Sequence, residues 1–228
     1  MSKLYIIPTP IGNLGDITIR ALEILKKADL ILAEDTRKSA VLLNHYDIET
    51  PLQSHHKFNE HARSEAVCLE ISRGKETALI TDAGTPGISD PGFLLVRTCI
   101  EKGIEVETLP GATAFIPALI NSALPSDRFC FEGFLPQKKG RMKKIRQLAG
   151  EQRTMVFYES PYRIKKLIDQ LTEILGSDRQ ASLSRELTKI YEETLRGSLE
   201  ELAEKLKDNN PKGEFVLVVS GKNKKSGS

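Results

Sequence analysis

Two glycine-bearing segments have the residue types expected where a chain wraps a small ligand. Asp82-Ala83-Gly84-Thr85-Pro86-Gly87-Ile88-Ser89-Asp90-Pro91-Gly92 follows an apolar run and precedes a helical pattern. Its glycines allow close backbone approach, its prolines stiffen the path, and Asp82 stands where a carboxylate could meet a cationic group. A rigid turn whose aspartates cap the next helix has the same letters, but the segment is long for a plain strand-to-helix connection, which favours a ligand. Leu109-Pro110-Gly111-Ala112-Thr113-Ala114 repeats the arrangement with small residues and a hydroxyl, suited to a flat or anionic fragment resting on amides at a helix start. Neither segment matches GxGxxG or GxxxxGK(S/T), so an ordinary dinucleotide fold and a P-loop are not supported.

Three further segments concentrate polar groups. Ala33-Glu34-Asp35-Thr36-Arg37 puts two carboxylates and a guanidinium at the end of an apolar run, positions suited to function or, for Asp35 and Thr36, to capping the next helix. Ser184-Arg185-Glu186-Leu187-Thr188-Lys189 repeats the pattern later, and Thr9-Pro10-Ile11-Gly12-Asn13-Leu14-Gly15-Asp16 forms a glycine-bearing loop near the start. Cys68, Cys99 and Cys130 lack CxxC spacing and are odd in number, which argues against a disulfide framework or zinc ribbon and for buried, inert thiols. His45, His55, His56 and His61 form no HExxH-like pattern, so no metal is expected.

The elements that must position these loops alternate regularly. Leu4 to Ile7, Leu30 to Ala33, Thr77 to Thr81 and Glu105 to Leu109 read as strands, with a short extended piece around Leu52. Between them lie a helix capped by Asp16, one including Val41 to Tyr46, one around Ala66 to Ile71 ending at Gly74, and one from Phe93 to Lys102 closed by Gly103. This alternation implies right-handed crossovers and a parallel sheet, whose ligands bind outside the carboxyl ends of the strands. The second half differs in style. Runs at Phe129 to Phe134, Thr154 to Tyr158, Ala181 to Ser184 and Phe215 to Val219 are separated by helices of unequal length, including Tyr162 to Leu175 and Ser198 to Leu206, and predict a second, mixed sheet. The expected organisation is an N-terminal α/β domain over 1–117, a C-terminal α/β domain over 118–221 and a basic, flexible tail over 222–228.

A chain of 228 residues has room for one to two domains, and 39% hydrophobic with 28% charged residues excludes collagen-like and disordered classes. Thr108 to Ser126 carries no charge, yet Pro110, Pro117 and Pro125 interrupt it, which argues against a membrane span. The short apolar start at Met1 to Pro8 lacks the layout of an export signal, so a cytoplasmic location is expected. Residues 1–117 hold 12 basic and 16 acidic side chains, a balance of −4, whereas 118–228 hold 21 and 15, a balance of +6. Lys138, Lys139, Arg141, Lys143, Lys144 and Arg146 crowd into a short run after Pro136, and Lys222, Lys224 and Lys225 add to the tail. Such a run is either a solvated helix face or a contact for an anionic polymer such as RNA.

Taken in order, PTPIGNLGDIT, AEDTR, TDAGTPGISDPG, LPGATA, FYESPYR, SRELTK and GEFVLVVSG resemble, over nearly the whole chain, the bacterial small-subunit ribosomal RNA (cytidine-2′-O)-methyltransferases, a branch of the tetrapyrrole methylase fold. The resemblance implies two α/β domains with S-adenosylmethionine in the cleft between them, a homodimer, no metal, and methyl transfer to the ribose 2′-hydroxyl of decoding-centre cytidine 1402 in 16S ribosomal RNA of the small subunit. It places the cofactor against Pro10, Asp82, Ala83, Gly84, Ser89, Ala112, Thr113, Phe157, Tyr158, Leu183 and Gly213. Where tetrapyrrole-modifying relatives have Gly-Asp-Pro, this chain has Thr81-Asp82-Ala83-Gly84, which argues for the RNA branch. Glu34, Asp35, Arg37, Glu186 and Lys189 are the candidates to orient or deprotonate the hydroxyl, either through a carboxylate or a lysine held neutral. The alternative for each is an inter-domain salt bridge. Phosphate contacts are expected from Lys138 to Arg146. A tetrapyrrole methyltransferase and a non-catalytic RNA-binding factor on the same fold are the competing readings, separated from the first by the acceptor and by cofactor binding respectively.

Overall fold

The computed structural model describes residues 2–56, 60–207 and 212–222, and of 61 and 62 only the backbone. The chain divides into two compact units between Thr113 and Ala114.

In the first unit β1 (Leu4–Ile6), α1 (Ile19–Lys27), β2 (Leu30–Ala33), α2 (Thr36–His45), β3 (Leu52–Ser54), α3 (Glu60–Ser72), β4 (Thr77–Leu79), α4 (Phe93–Glu101) and β5 (Val106–Thr108) follow one another. The strands form a parallel sheet in the order β3-β2-β4-β1-β5. Alternation of side chains along each strand divides the apolar residues between its two faces. Tyr5, Ile31 and Ala78 pack with Ala21 and Leu25 of α1 and Leu43 of α2. Leu4, Leu30 and Leu79 pack with Val67, Cys68 and Ile71 of α3 and Leu95 and Cys99 of α4. Covering both faces explains why these strands read as unbroken apolar runs in the sequence.

Asp16 does not cap α1. It lies in a single 3-10 turn, Leu14–Asp16, capped by Asn13, and Thr18 caps α1 by accepting from the Ala21 amide. Thr18 stands in extended backbone immediately before the first helical residue, where a side-chain oxygen reaches the free amides. Cys68 and Cys99 are buried free thiols with their sulfurs 3.4 Å apart, whereas Cys130 is only half-buried and not part of the core.

The second unit contains α5 (Phe115–Asn121), β6 (Phe129–Phe134), α6 (Arg141–Leu148), β7 (Thr154–Glu159), α7 (Ile164–Leu175), β8 (Gln180–Arg185), β9 (Glu193–Ser198), α8 (Leu199–Leu206) and β10 (Phe215–Val219). Its sheet order is β6-β7-β10-β8-β9; β6 and β7 are parallel and the other pairs antiparallel, giving the mixed sheet. The units part a few residues before the expected 117/118 boundary, because α5 contains Pro117 and packs on β7, β8 and β10. Strand β9 has no apolar alternation to announce it, and only Leu195 packs toward the core. Ser198 and Glu201 form a reciprocal capping box that opens α8. Lys224 and Lys225 of the expected tail lie outside the described residues. Among the described residues no helix is long and apolar enough to cross a membrane.

At the end of β7 the Glu159 carboxylate is 2% exposed and fully committed. Its Oε2 accepts from both terminal nitrogens of Arg141 at 3.2 Å, and its Oε1 from Arg163 Nε at 2.7 Å and the Ser160 amide at 2.9 Å. Arg141 Nε donates to Gln170 Oε1 of α7 at 2.8 Å. Removing the carboxylate leaves buried guanidinium charge unpaired, so Glu159→Ala should lower stability by about 3–5 kcal/mol. In urea titration, the Glu159→Ala, Arg141→Met pair should lose clearly less than Glu159→Ala alone.

Candidate active site

A parallel sheet delivers the carboxyl ends of its strands to one edge, and here the loops after β1, β2, β4 and β5 are bonded to one another at that edge. The Thr9 amide donates to the Gly84 carbonyl and the Gly84 amide to the Thr9 carbonyl, both at 2.9 Å. The buried Thr9 hydroxyl adds a bond of 3.0 Å to the Thr81 carbonyl. Thr85 Oγ1 donates to the Ala112 carbonyl at 3.1 Å, closing the loop after β4 onto the loop after β5. Gly111 has no room for a side chain: a Cβ there would lie 2.7 Å from Pro8 Cβ, so glycine lets the ends of β1 and β5 approach. Pro10, Asp82, Ala83, Gly84, Ala112 and Thr113, all expected at a cofactor, are therefore gathered in one backbone-lined cradle. The Thr113 hydroxyl is buried without a hydrogen-bond partner, which fits a site whose ligand supplies one. Ser89 is exposed on the same long loop, in left-handed backbone at φ +65°.

Beside the cradle, the AEDTR segment separates into different roles. Asp35 is the N-cap of α2: its Oδ1 accepts from the Arg37 amide at 3.0 Å, and its Oδ2 pairs with Arg37 Nη2 at 2.8 Å. The Arg37 guanidinium and amide hold the Asp35 carboxyl at about 2, so it is ionised at neutral pH and a weak proton acceptor. Its contribution to stability is present above about pH 4 and lost as pH falls through 2. Asp82 accepts from the Asp35 amide at 3.1 Å and from Lys38 Nζ at 2.7 Å, which raises the lysine. Glu34 differs. Its Oε2 accepts from the Thr81 hydroxyl at 3.0 Å, while its Oε1 has no partner among the described residues.

Sequence reasoning passed over two participants. Lys38 stands one residue beyond the AEDTR motif and was detectable only as its continuation on the helix. Glu60, the first residue of α3, is 9% exposed and its Oε1 accepts from the amides of Gly92, Leu94 and Leu95 at 3.1, 3.1 and 3.4 Å. It caps α4 from another helix and so fixes where the long loop after β4 ends. No local signal marks a cap supplied from so far along the chain.

In the second unit Gly213 lies at φ +97°, and a Cβ there would sit 2.5 Å from Glu186 Cγ. The close approach seats Glu186 Oε1 on the Glu214 amide at 2.9 Å and on Lys189 Nζ at 2.9 Å, with Glu214 Oε2 also 2.9 Å from Lys189. Burial pulls the Lys189 ammonium down, but the two glutamates outweigh it and hold the group above its ordinary value. Its two carboxylate partners therefore favour the charged form of Lys189. Glu186 is pushed up by burial and pulled further down by Lys189 and the Glu214 amide, so it is ionised. Glu186 and Thr188 both occupy left-handed backbone, at φ +50° and +67°, a strained arrangement of the kind that clusters at working sites.

Phe157 and Leu183 pack in the hydrophobic core with α7 and α8, so they can meet a ligand only through their backbone. Tyr158 points to the opposite face, with its ring 5.1 Å from Phe131 and 5.6 Å from Phe134. The basic run is also divided. Lys138, Lys139, Lys143 and Arg146 are exposed and, among the described residues, make no ion pair. Lys144 pairs with Glu132 at 2.7 Å. Arg141, expected at RNA, is instead 4% exposed and spent on Glu159, because its place at the start of α6 turns it toward the core. Among the described residues no group of three or more His, Cys, Asp or Glu is placed to hold a metal ion.

Glu60→Ala strips three amides of their acceptor, an effect of about 1–3 kcal/mol on the local structure. Amide exchange at Gly92, Leu94 and Leu95 should accelerate in that variant and stay near wild type in Glu60→Gln, which keeps an acceptor oxygen. Unchanged protection in Glu60→Ala would remove its role in fixing the loop.

The profile of the tetrapyrrole (corrin/porphyrin) methylases matches residues 3–203. Ribosomal RNA small subunit methyltransferase I of Haemophilus influenzae is 50% identical over 224 residues, spanning 97% of this chain and 79% of that protein. The protein of the same name from Thermotoga maritima is 46% identical over 222 residues, spanning 97% and 100%. Among solved structures, the methyltransferase CobJ superposes with a TM-score of 0.70 at 18% identity, covering 97% of this chain and 95% of that one. Uroporphyrin-III C-methyltransferase from Thermus thermophilus, complexed with S-adenosyl homocysteine, superposes with a TM-score of 0.65 at 18% identity, covering 96% and 97%. These two likenesses establish the shared fold. The chain belongs to the tetrapyrrole (corrin/porphyrin) methylase family and, within it, to the ribosomal RNA small subunit methyltransferase I family.

Proposed function

We propose that this protein methylates the ribose 2′-hydroxyl of the decoding-centre cytidine, cytidine 1402, in 16S ribosomal RNA of the small subunit. The cofactor is S-adenosylmethionine, which when bound supplies an electrophilic sulfonium methyl. The observation that supports its seat most directly is the cradle of cross-bonded loops at Thr9, Gly84, Thr85 and Ala112, with the buried, unpartnered Thr113 hydroxyl next in sequence to Ala112. A rigid backbone surface of this kind suits a reaction in which an oxygen must attack in line, because fixed orientation supplies much of the barrier reduction.

Of the candidates for the hydroxyl proton, Asp35 has both oxygens engaged, and Lys189 is held charged. Glu34 retains a carboxylate oxygen without a protein partner, at the same edge as the cradle, and its other oxygen is oriented by Thr81. Glu34 therefore takes the role of accepting or orienting the ribose hydroxyl, and Lys189 with Glu186 that of a charged structural pair. Lys138, Lys139, Lys143 and Arg146 are the phosphate contacts. A homodimer and a cytoplasmic location complete the reading.

Labelled methyl should pass from S-adenosylmethionine to small subunits lacking the modification and map to one cytidine ribose. Cofactor binding with no label in any RNA would redirect the activity to a small-molecule acceptor. Glu34→Gln should slow transfer by about 10²- to 10⁴-fold with little change in cofactor affinity. Lys189 remains protonated around neutrality, so Lys189→Arg should leave the shape of the pH profile of transfer unchanged there.

A further inference from the structure

Strand β6 runs parallel to β7, and β10 runs antiparallel to both β7 and β8, so β6, β7 and β8 end at the same edge of the mixed sheet. Phe134 closes β6 at that edge, Tyr162 lies in the turn after β7, and Tyr191 in the loop after β8. Their exposures are 52%, 95% and 74%. Phe93 is the one other exposed Phe or Tyr among the described residues, so large rings in water are concentrated here. Tyr162, 95% exposed, and Tyr191, 74% exposed, contribute little to packing; flat, exposed rings of this kind are a surface for a partner. Lys138 and Lys139 follow Phe134 within a few residues, are exposed and, among the described residues, make no ion pair. From β6 to β8 the edge spans about 14 Å, three strand spacings.

We propose that this edge is a stacking surface for unpaired bases of the RNA substrate, with Tyr162, Tyr191 and Phe134 receiving bases and Lys138 and Lys139 neutralising the adjoining phosphates. The proposal rests on the RNA-substrate reading and adds how the strand is held. Aromatic faces combined with unpaired cations match single-stranded nucleic acid in both its components, the base and the phosphate. The Phe134 ring, packed at 5.6 Å against Tyr158, is pre-oriented.

The test compares the full-length protein with Tyr162→Ala, Tyr191→Ala and Phe134→Ala for binding to a single-stranded RNA and to unmodified small subunits over a range of salt. Each alanine should weaken RNA binding about 5- to 150-fold, without changing the salt slope or the cofactor affinity, and the two tyrosine variants should keep the wild-type melting temperature. Tyr162→Phe and Tyr191→Phe should bind like wild type. Lys138→Ala should instead flatten the salt slope by about 0.7. Wild-type RNA affinity in the Tyr162→Ala, Tyr191→Ala double variant would overturn the proposal, as would a loss that follows a change in oligomeric state by sedimentation, which would assign the edge to a second copy of this chain. Wild-type protein that transfers no methyl to RNA would instead overturn the substrate reading, and this proposal with it.

Discussion

The reciprocal backbone bonds between Thr9 and Gly84 set the shape of everything at the carboxyl edge of the parallel sheet. Strand pairing alone brings the ends of β1 and β4 side by side, but the loops beyond them are free to diverge. Two amide-to-carbonyl bonds, backed by the Thr9 hydroxyl on Thr81, turn those loops into one surface. Thr85 on Ala112 and the close packing of Gly111 on Pro8 extend it to β5. A surface made of backbone and small residues presents amides, carbonyls and little bulk, which is what a ligand with many polar atoms requires.

Around that surface, charge is distributed by how completely each carboxylate is used. Asp35 and Asp82 spend both oxygens on amides and cations that fix the start of α2 against the loop after β4. Glu60 spends one oxygen on three amides and fixes the other end of that loop. Glu159 is exhausted on two arginines and holds α6 and α7 to the end of β7. Glu34 alone at the edge combines an orienting hydroxyl with a spare oxygen. Asp35, Asp82 and Glu159 are thus committed to the frame through both oxygens and Glu60 through one, whereas on the proposed reading the spare oxygen of Glu34 is the one left for a substrate.

The parallel sheet was legible because burial on both faces leaves unbroken apolar runs, and the loops because glycine and proline cluster where a strand gives way to a helix. What the letters did not carry was the direction and partner of individual side chains. Arg141 is one of six cations in a short run, and only the helix start at Gly140 shows that it alone turns inward. Phe157 and Tyr158 are neighbours in sequence, yet strand alternation sends one to the core shared with α7 and α8 and the other to the opposite face of the sheet. Asp16 and Thr18 are both good caps, and the choice fell to the one adjoining the first helical residue. Glu60 and Lys38 act on segments distant along the chain, which no local pattern encodes.

The central claim is that the cross-bonded loops of the first unit are the seat of S-adenosylmethionine. It is tested most directly by calorimetric titration of the cofactor into wild-type protein and Gly84→Val. Gly84 lies in left-handed backbone at φ +86° with Ile11 and the Ala112 carbonyl close by, so valine there distorts the cradle while leaving the sheet cores untouched. The account predicts loss of measurable cofactor binding in a variant whose far-ultraviolet circular dichroism is unchanged; wild-type affinity in that folded variant would contradict it.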